Sequence, residues 1–197
     1  FMGASVGYVS ARAGIDVVLI DRDQESADKG KAHAQSVIDD LIKKGRAKDA
    51  DRDALLSRIS ATPDYAAISD CDLVIEAVFE DRKVKAETYA KAQPYLRKDA
   101  IFASNTSTLP INSLAEEFKD QSRFIGIHFF SPVEKMMLVE TILGKNTGDL
   151  AIATALDYAR QIGKTPILVN DSRGFFANRC VLRFTAEGLD MLAEGVP

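Results

Sequence analysis

Apolar residues along this chain alternate between short continuous runs and stretches in which they recur at helical spacing. The continuous runs predict strands over residues 15–20, 59–61, 73–78, 100–103, 124–130, 138–143 and 166–169. The helically spaced stretches predict helices over residues 3–14, 24–45, 82–96 and 149–162. Continuous apolar runs are typical of strands buried on both faces, and their alternation with helices predicts a doubly wound, mostly parallel α/β sheet.

The first residues match the end of a phosphate-binding turn. In dinucleotide-binding folds, a strand leads into G-x-G-x-x-G, and the third glycine lets the following helix pack closely on the sheet. Gly3 fits that third glycine, because a helix, a strand and then Asp21 follow it at the expected spacing. We therefore expect the chain to begin inside this turn, with the first strand and two glycines missing. A glycine in a tightly packed helix is the alternative.

Asp21 indicates which nucleotide such a fold would bind. A carboxylate at the end of the second strand accepts hydrogen bonds from ribose hydroxyl groups and repels a 2′-phosphate, which favours NAD over NADP. Arg22 follows it and could instead serve a 2′-phosphate. A solvent-exposed acid is a further alternative, since Asp-Arg-Asp is also a good loop sequence. We expect NAD as the cofactor.

Composition narrows the partners and the compartment. The 197 residues carry 25 Lys and Arg against 29 Asp and Glu, a net charge of −4, and no basic stripe interleaves with aromatic residues. We therefore expect no nucleic acid partner. No apolar run has the length of a membrane span, so we expect no membrane insertion. Cys71 and Cys180 match no metal-site spacing, and we expect free, buried thiols in a reducing cytoplasm and no bound metal.

The polar segment SNTSTLP, residues 104–110, directly follows a predicted buried strand. Ligands of open α/β sheets bind beyond the carboxyl ends of the strands, where small hydroxyl and amide side chains can bond a substrate oxygen. An equally good interpretation is a helix N-cap, because a Ser or Thr before LPINSLAEEF suits that role. The residues alone leave both interpretations open.

His128 and Glu140 occupy two neighbouring apolar strands. A buried carboxylate is costly without a partner, and His128 is the cheapest partner in reach of Glu140. A carboxylate behind an imidazole fixes its tautomer and stabilises its protonated form, as a general base requires. The alternative is a structural histidine and a glutamate on an exposed edge. The other histidine, His33, is expected on the surface of a charged helix.

Three segments together resemble the 3-hydroxyacyl-CoA dehydrogenase family: FASNTSTLPI, GIHFFSPVEKMMLVETI and GFFANR. Residues 13–45 are similar to the dehydrogenase segment of bacterial multifunctional fatty-acid oxidation proteins. The resemblance implies a Rossmann-like NAD-binding domain over residues 1–173, lacking its first strand. Residues 174–197 would then begin an all-α C-terminal domain that makes dimer contacts.

The same resemblance implies roles for individual residues. His128 is similar to the family's catalytic base and Glu140 to its acidic partner. Ser107 resembles the serine that contacts the substrate 3-oxygen, and Asn178 resembles the asparagine near the reacting group. The residues that match cofactor-binding positions are Gly3, Asp21, Glu80, Lys85 and Asn105.

The implied activity is NAD-dependent oxidation of an L-3-hydroxyacyl-CoA to a 3-oxoacyl-CoA in fatty-acid β-oxidation, in the bacterial cytoplasm. The implied partners are an acyl-CoA substrate and either a second copy, joined through the C-terminal domain, or fused hydratase and thiolase domains. Lys43 and Lys44 belong to a basic cluster suited to CoA phosphates, although cations that complement a helix dipole explain the cluster equally well. The alternatives to an enzyme are a nucleotide-binding module without turnover and a structural dehydrogenase-like domain.

Overall fold

The computed structural model describes residues 2–196, and its elements follow the alternation that the sequence predicts. The strands are β1 (Val17–Ile20), β2 (Ile59–Thr62), β3 (Leu73–Glu76), β4 (Ile101–Ser104), β5 (Phe124–Phe129), β6 (Leu138–Leu143) and β7 (Thr165–Asn170). The helices are α1 (Met2–Arg12), α2 (Gln24–Lys43), α3 (Asp49–Ser57), α4 (Arg82–Ala92), α5 (Ile111–Ala115), α6 (Asp149–Gln161) and α7 (Ala177–Ala193). Every predicted strand is confirmed. The apolar pattern does not predict α3, and the helix predicted over 82–96 ends at Ala92 and is followed by a 3-10 turn.

The strands form two hydrogen-bonded groups. β1 and β2 pair in parallel, and β3, β4, β5, β6 and β7 form a five-stranded sheet in that order. Within this sheet only the pairing of β5 with β6 is antiparallel. The prediction of a mostly parallel α/β sheet is therefore confirmed, and within residues 2–196 no strand joins β1 to β3.

Helices cover both faces of the five-stranded sheet, as the doubly wound prediction requires. Along β4, Ile101 and Ala103 pack in an apolar cluster with α1, α2 and α6, whereas Phe102 packs in a second cluster with α4 and α5. Successive side chains of a strand point to opposite faces, so the two clusters lie on opposite sides of the sheet. In the second cluster Tyr89 meets the rings of Phe102 and Phe124 edge-on, at 5.2 and 5.5 Å between centroids.

α1 packs closely on β1 through Gly7 rather than through Gly3. A Cβ atom at Gly7 would lie 2.7 Å from Leu19 Cδ2, so a larger residue would displace that side chain. A Cβ atom at Gly3 would lie 3.6 Å from Ala77 Cβ, which is an ordinary contact. Within residues 2–196 the closest approach of α1 to the sheet is therefore at Gly7, and the motif role of Gly3 stays a prediction.

Two expectations about single side chains are wrong. His33 is partly buried rather than a surface side chain, because its Nε2 lies 3.0 Å from Ser5 Oγ and 3.3 Å from Glu134 Oε1. Both cysteines are free, but Cys71 is half-buried and Cys180 is exposed, so neither is the buried thiol that was expected. His33 thus connects α2 to α1 and to the loop between β5 and β6.

α7 has a different environment from the rest of the fold. Among the α-helices of residues 2–196, it alone has no buried residue. Large apolar side chains along it face solvent, including Phe184 at 83% and Leu192 at 72% exposed. The helix expected within residues 174–197 is confirmed, and its apolar face is uncovered within the described part of the chain.

Candidate active site

A cleft of about 450 Å³ opens at the carboxyl ends of β3, β4 and β5. Its walls come from the segments that follow these strands and from the starts of α1 and α7. Open α/β sheets bind their ligands at this edge. The cleft brings together five of the residues singled out from the sequence, namely Glu80, Asn105, Ser107, His128 and Asn178.

His128 and Glu140 form a hydrogen-bonded pair at the base of this cleft. β5 and β6 run antiparallel, and their register places the two residues directly opposite each other. His128 Nδ1 lies 2.7 Å from Glu140 Oε2, and the side chains are 5% and 0% exposed. The predicted contact is confirmed. A glutamate on an exposed edge is the wrong alternative, because β7 pairs with the other side of β6.

Glu140 is ionised, and its charge fixes the tautomer of His128. Burial raises the pKa of the Glu140 carboxyl, but hydrogen bonds from His128 and from the backbone N–H groups of Ala177 and Phe176 outweigh burial and hold this pKa below its usual value. An ionised carboxylate only accepts hydrogen bonds, so Nδ1 of His128 carries the proton. In the neutral ring Nε2 is then an acceptor, and it is the nitrogen left for a ligand.

The start of α7 supplies two of the hydrogen bonds to Glu140. Its Oε1 accepts from Phe176 N at 2.9 Å and from Ala177 N at 2.7 Å. Gly174 and Phe175, with φ of 77° and 51°, turn the chain toward the carboxylate. Left-handed backbone costs a non-glycine residue about 1–2 kcal/mol, and burial of the Phe175 ring in the core offsets this cost. The strained turn thus serves to bring α7 to the buried pair.

Glu80 organises residues 106–108, which we call the hydroxyl loop. Although burial raises the pKa of Glu80, hydrogen bonds from the hydroxyl loop and the charge of Lys85 lower it to about 2. The carboxylate is therefore charged near neutral pH, and one oxygen holds the whole loop. Glu80 Oε1 accepts from Thr106 Oγ1 at 2.6 Å, Ser107 N at 2.8 Å, Thr108 N at 2.9 Å and Thr108 Oγ1 at 3.2 Å.

Two asparagines complete the wall around Ser107. Asn105 Oδ1 accepts from Phe129 N at 2.9 Å, which leaves the NH₂ group of Asn105 for a ligand. Asn178 Nδ2 donates to the backbone carbonyl of Ser107 at 2.9 Å. Since the Ser107 N–H already donates to Glu80, its hydroxyl is the group without a partner among residues 2–196. That hydroxyl is available to a ligand in the cleft.

No Ser or Thr of the hydroxyl loop caps the helix that follows it. The N-cap of α5 is Pro110, which offers no side-chain cap. The carboxylate of Asp171, which follows β7, instead accepts from Ile111 N at 3.0 Å and from Asn112 N at 2.8 Å. The N-cap interpretation of SNTSTLP is therefore wrong, and its hydroxyl groups remain for Glu80 and for the cleft.

A second buried carboxylate, Glu76 at the end of β3, was not predicted from the sequence. It accepts a hydrogen bond from Lys85 Nζ at 2.8 Å, and Lys85 also lies 3.3 Å from Glu80 Oε2. Lys85 is 0% exposed, so it lies behind Glu80 and does not line the cleft. The available signal was an acidic residue at the end of an apolar run, where a buried charge needs a cation nearby.

Four further predicted site residues lie outside the lining of the cleft. Asp21 is exposed directly after β1, and Lys43 and Lys44 are exposed at the end of α2. Gly3 lies in the first turn of α1, next to Met2, which does line the cleft. The structure therefore gathers the residues predicted for chemistry more closely than those predicted for nucleotide and CoA binding.

Two further features of residues 2–196 concern clusters of metal-ligating side chains and helices that could span a membrane. No cluster of three or more His, Cys, Asp or Glu side chains is arranged there to hold a metal ion. No helix in that part of the chain has both the length and the apolar character needed to cross a bilayer.

Residues 1–172 match the family model described as 3-hydroxyacyl-CoA dehydrogenase, NAD binding domain. The structure of (S)-3-hydroxybutyryl-CoA dehydrogenase from Ralstonia eutropha is 36% identical, with a TM-score of 0.94, over 100% of this chain and 69% of its own. The 3-hydroxybutyryl-CoA dehydrogenase from Escherichia coli is 28% identical, with a TM-score of 0.94, over 100% and 42%. The dehydrogenase part of multifunctional enzyme 1 from C. elegans is 33% identical, with a TM-score of 0.75, over 85% and 38%.

Proposed function

Because the chain belongs to the 3-hydroxyacyl-CoA dehydrogenase family of NAD-dependent oxidoreductases, we propose that it oxidises the 3-hydroxyl group of an L-3-hydroxyacyl-CoA to a 3-oxo group. One observation carries this proposal. In the buried pair Nδ1 of His128 is taken by Glu140, which leaves Nε2, the acceptor nitrogen of the neutral ring, for a ligand in the cleft. Such a nitrogen can accept the proton that alcohol oxidation releases.

In this proposal His128 is the general base. With Nδ1 donating to Glu140, Nε2 is the acceptor nitrogen of the neutral ring and takes the proton of the substrate 3-hydroxyl group. The imidazolium that forms lies against an ionised carboxylate in a place of low dielectric, where their attraction is strong. General-base assistance of this kind contributes roughly 10²- to 10⁴-fold in rate. In the reverse direction the imidazolium returns the proton to the carbonyl oxygen.

The residues around the cleft fit NAD. When bound, NAD accepts the hydride from C3 of the substrate. The NH₂ group of Asn105 and the carboxylate of Glu80 line the cleft and suit the nicotinamide end. Asp21, at the end of β1, suits the ribose hydroxyl groups and selects NAD over NADP. Arg22 is an exposed side chain whose guanidinium lies 3.2 Å from Asp23.

We propose that Ser107 contacts the reacting oxygen of the substrate and that Asn178, next to it, holds Ser107 in place. The hydroxyl of Ser107 has no partner among residues 2–196 and can donate to the 3-oxygen, while its backbone groups are held by Glu80 and Asn178. Asn178 thereby orients the serine next to the chemistry. Lys43 and Lys44, two exposed cations at the end of α2, remain our assignment for the CoA phosphates.

We place the reaction in fatty-acid β-oxidation in the bacterial cytoplasm. The matches to 3-hydroxybutyryl-CoA dehydrogenases support an acyl-CoA substrate. The match to the dehydrogenase part of a multifunctional enzyme supports fusion to further catalytic domains, for which we propose a hydratase and a thiolase. The uncovered apolar face of α7 supports a domain boundary near residue 173 and dimer contacts through a helical domain that α7 begins.

NADH formation tests the proposed function directly. We expect the protein to form NADH from NAD and L-3-hydroxybutyryl-CoA, and to act far more slowly with NADP or with the D-enantiomer as matched controls. Calorimetric titration with NAD alone separates binding from turnover. NAD binding without NADH formation would favour the nucleotide-binding module, and absence of both would favour the structural domain.

A further inference from the structure

Glu76 is a buried carboxylate to which the proposed chemistry gives no role. Its side chain is 1% exposed. A carboxylate removed from water must replace its hydration with hydrogen bonds, and both oxygens of Glu76 do so. Oε1 accepts from Lys85 Nζ and Val78 N, both at 2.8 Å, and Oε2 accepts from Ser104 Oγ at 2.8 Å and Tyr89 OH at 3.2 Å.

Lys85 connects Glu76 to Glu80. The Lys85 ammonium is fully buried, 2.8 Å from Glu76 Oε1 and 3.3 Å from Glu80 Oε2. Two carboxylates thus share one ammonium. The shorter contact is the one to Glu76, on the side away from the cleft, so Glu76 is the principal partner of Lys85.

The position of the Lys85 ammonium determines whether the carboxylate of Glu80 can keep its hydrogen bonds to the hydroxyl loop. Glu80 Oε2 faces the ammonium, and Oε1 holds the N–H groups of Ser107 and Thr108. Attraction between a carboxylate and an ammonium grows steeply as they approach in a buried place. An ammonium released by Glu76 would move toward Glu80 and draw its oxygens away from the loop.

We infer that Glu76 is a positioning residue for the reaction: it holds the Lys85 ammonium back from Glu80, so that Glu80 fixes the hydroxyl loop and the Ser107 hydroxyl in the cleft. The effect on turnover rests on the proposed function. The effect on the loop does not, because it follows from the contacts among Glu76, Lys85 and Glu80 alone.

A purely structural role for Glu76 makes a different prediction. In that case Glu76 only joins the ends of β3 and β4 to α4, and its loss lowers stability without changing the hydroxyl loop. Tyr89→Phe is the matched control, because it removes one donor to Glu76 Oε2 but keeps the ring packing and the contact between Glu76 and Lys85.

Amide hydrogen exchange at Ser107 and Thr108 tests the inference without any substrate. In Glu76→Gln we expect the exchange of these two N–H groups to accelerate by about tenfold relative to amides elsewhere in the sheet. Tyr89→Phe should leave that ratio as it is in the unmutated protein. The same ratio in both variants overturns the inference.

Steady-state kinetics with NAD and L-3-hydroxybutyryl-CoA provide the second measurement. In Glu76→Gln we expect kcat to fall by about tenfold, because a small displacement of a positioning group is costly to the reaction. The dissociation constant for NAD and the kcat of Tyr89→Phe should stay close to those of the unmutated protein. A kcat loss no larger in Glu76→Gln than in Tyr89→Phe overturns the inference.

Two outcomes remain distinguishable. An unmutated protein without turnover contradicts the proposed function, and the exchange ratio then still decides the role of Glu76. If Glu76→Gln does not fold, Glu76→Asp replaces it, because it keeps the charge and only retracts it from Lys85. Its exchange ratio should lie above that of the unmutated protein, and an unchanged ratio contradicts the inference.

Discussion

Glu140 and Glu76 are the same residue type in equally buried places, but they hold different partners. Both accept hydrogen bonds on each of their two oxygens, from backbone N–H groups and from a side-chain ammonium or imidazole. Glu140 holds His128, whose ring lines the cleft. Glu76 holds Lys85, which is 0% exposed.

If His128 is the base, as proposed, access to the cleft rather than burial separates the two pairs: we call His128 and Glu140 the reactive pair and Lys85 and Glu76 the anchoring pair. Removing one member of a buried pair typically costs about 3–5 kcal/mol of stability, so both pairs matter to the fold. Only the imidazole of His128 can exchange a proton with a ligand, because Lys85 cannot reach one. Variants at the two sites should therefore separate chemistry from anchoring.

The largest effect is expected at the imidazole of the reactive pair. His128→Gln should reduce turnover by about 10²- to 10⁴-fold, since the imidazole proposed as the general base is lost. NAD affinity, measured by calorimetry, should change little. His33→Gln is the matched control, because His33 lies outside the cleft and contacts Ser5 and Glu134. Near-normal NADH formation by His128→Gln would contradict the assignment of the base.

The carboxylate of the reactive pair should have the next largest effect. Glu140→Gln keeps the size of the side chain but removes the charge that stabilises an imidazolium, so turnover should fall by at least ~10-fold. The loss should remain smaller than in His128→Gln, because the base itself is still present. Equal losses in the two variants, measured as kcat at saturating NAD, would mean that Glu140 is needed to place the ring as well as to stabilise its charge.

Ser107→Ala should have a smaller effect on the same reaction. It removes only the hydroxyl, because the contacts to Glu80 and Asn178 use the backbone of Ser107. We expect kcat with acetoacetyl-CoA and NADH to fall by about fivefold, the equivalent of one hydrogen bond of ~1 kcal/mol. Ser113→Ala, at a partly buried serine of α5 outside the lining of the cleft, is the control. A collapse of NAD affinity would instead assign Ser107 to the cofactor.

The smallest effect should appear at Glu80, the second carboxylate beside Lys85, and concerns how thermal stability depends on pH. The folded-state pKa of Glu80 is lowered from 4.5 to about 2, so its contribution to stability is present above pH 4.5 and is lost as the pH falls toward 2. Glu80→Gln should therefore lower Tm at neutral pH, and the difference should shrink in this acidic range. Partial exposure of the side chain limits it to a few degrees.

Thermal unfolding across this pH range checks the Glu80 prediction. Glu87→Gln, at an exposed glutamate of α4, is the control. A Tm difference for Glu80→Gln that is the same at neutral and acidic pH would show that the loss is not due to the charge.

The sequence predicts the sheet and the reactive pair because both depend on local patterns. Continuous apolar runs mark each strand, and an antiparallel pair of neighbouring strands brings His128 opposite Glu140. It does not predict α3, whose nine residues contain only two large apolar side chains, Leu55 and Leu56. A short helix with so few apolar residues has a weak periodic signal.

The contacts of Glu76 and of Asp171 could not be predicted from the sequence, because they join separate elements of the fold. Glu76 meets Lys85 only after α4 folds back against β3, and Asp171 caps α5 from a position 60 residues later in the chain. The need for glycine at position 7 likewise depends on how closely α1 approaches Leu19. Such contacts are set by three-dimensional packing, which no periodicity along the chain records.

The two hydrogen bonds from Phe176 and Ala177 make Glu140 a joint between the sheet and α7. Displacing α7 must break them, and their loss weakens the bonds that keep the carboxylate charged. By thermodynamic reciprocity, neutralising Glu140 must also loosen the attachment of α7. The orientation of α7 and the proton affinity of the Glu140 carboxylate are therefore thermodynamically coupled. A contact that displaces α7 from outside the cleft should raise the proton affinity of Glu140, which lies behind His128.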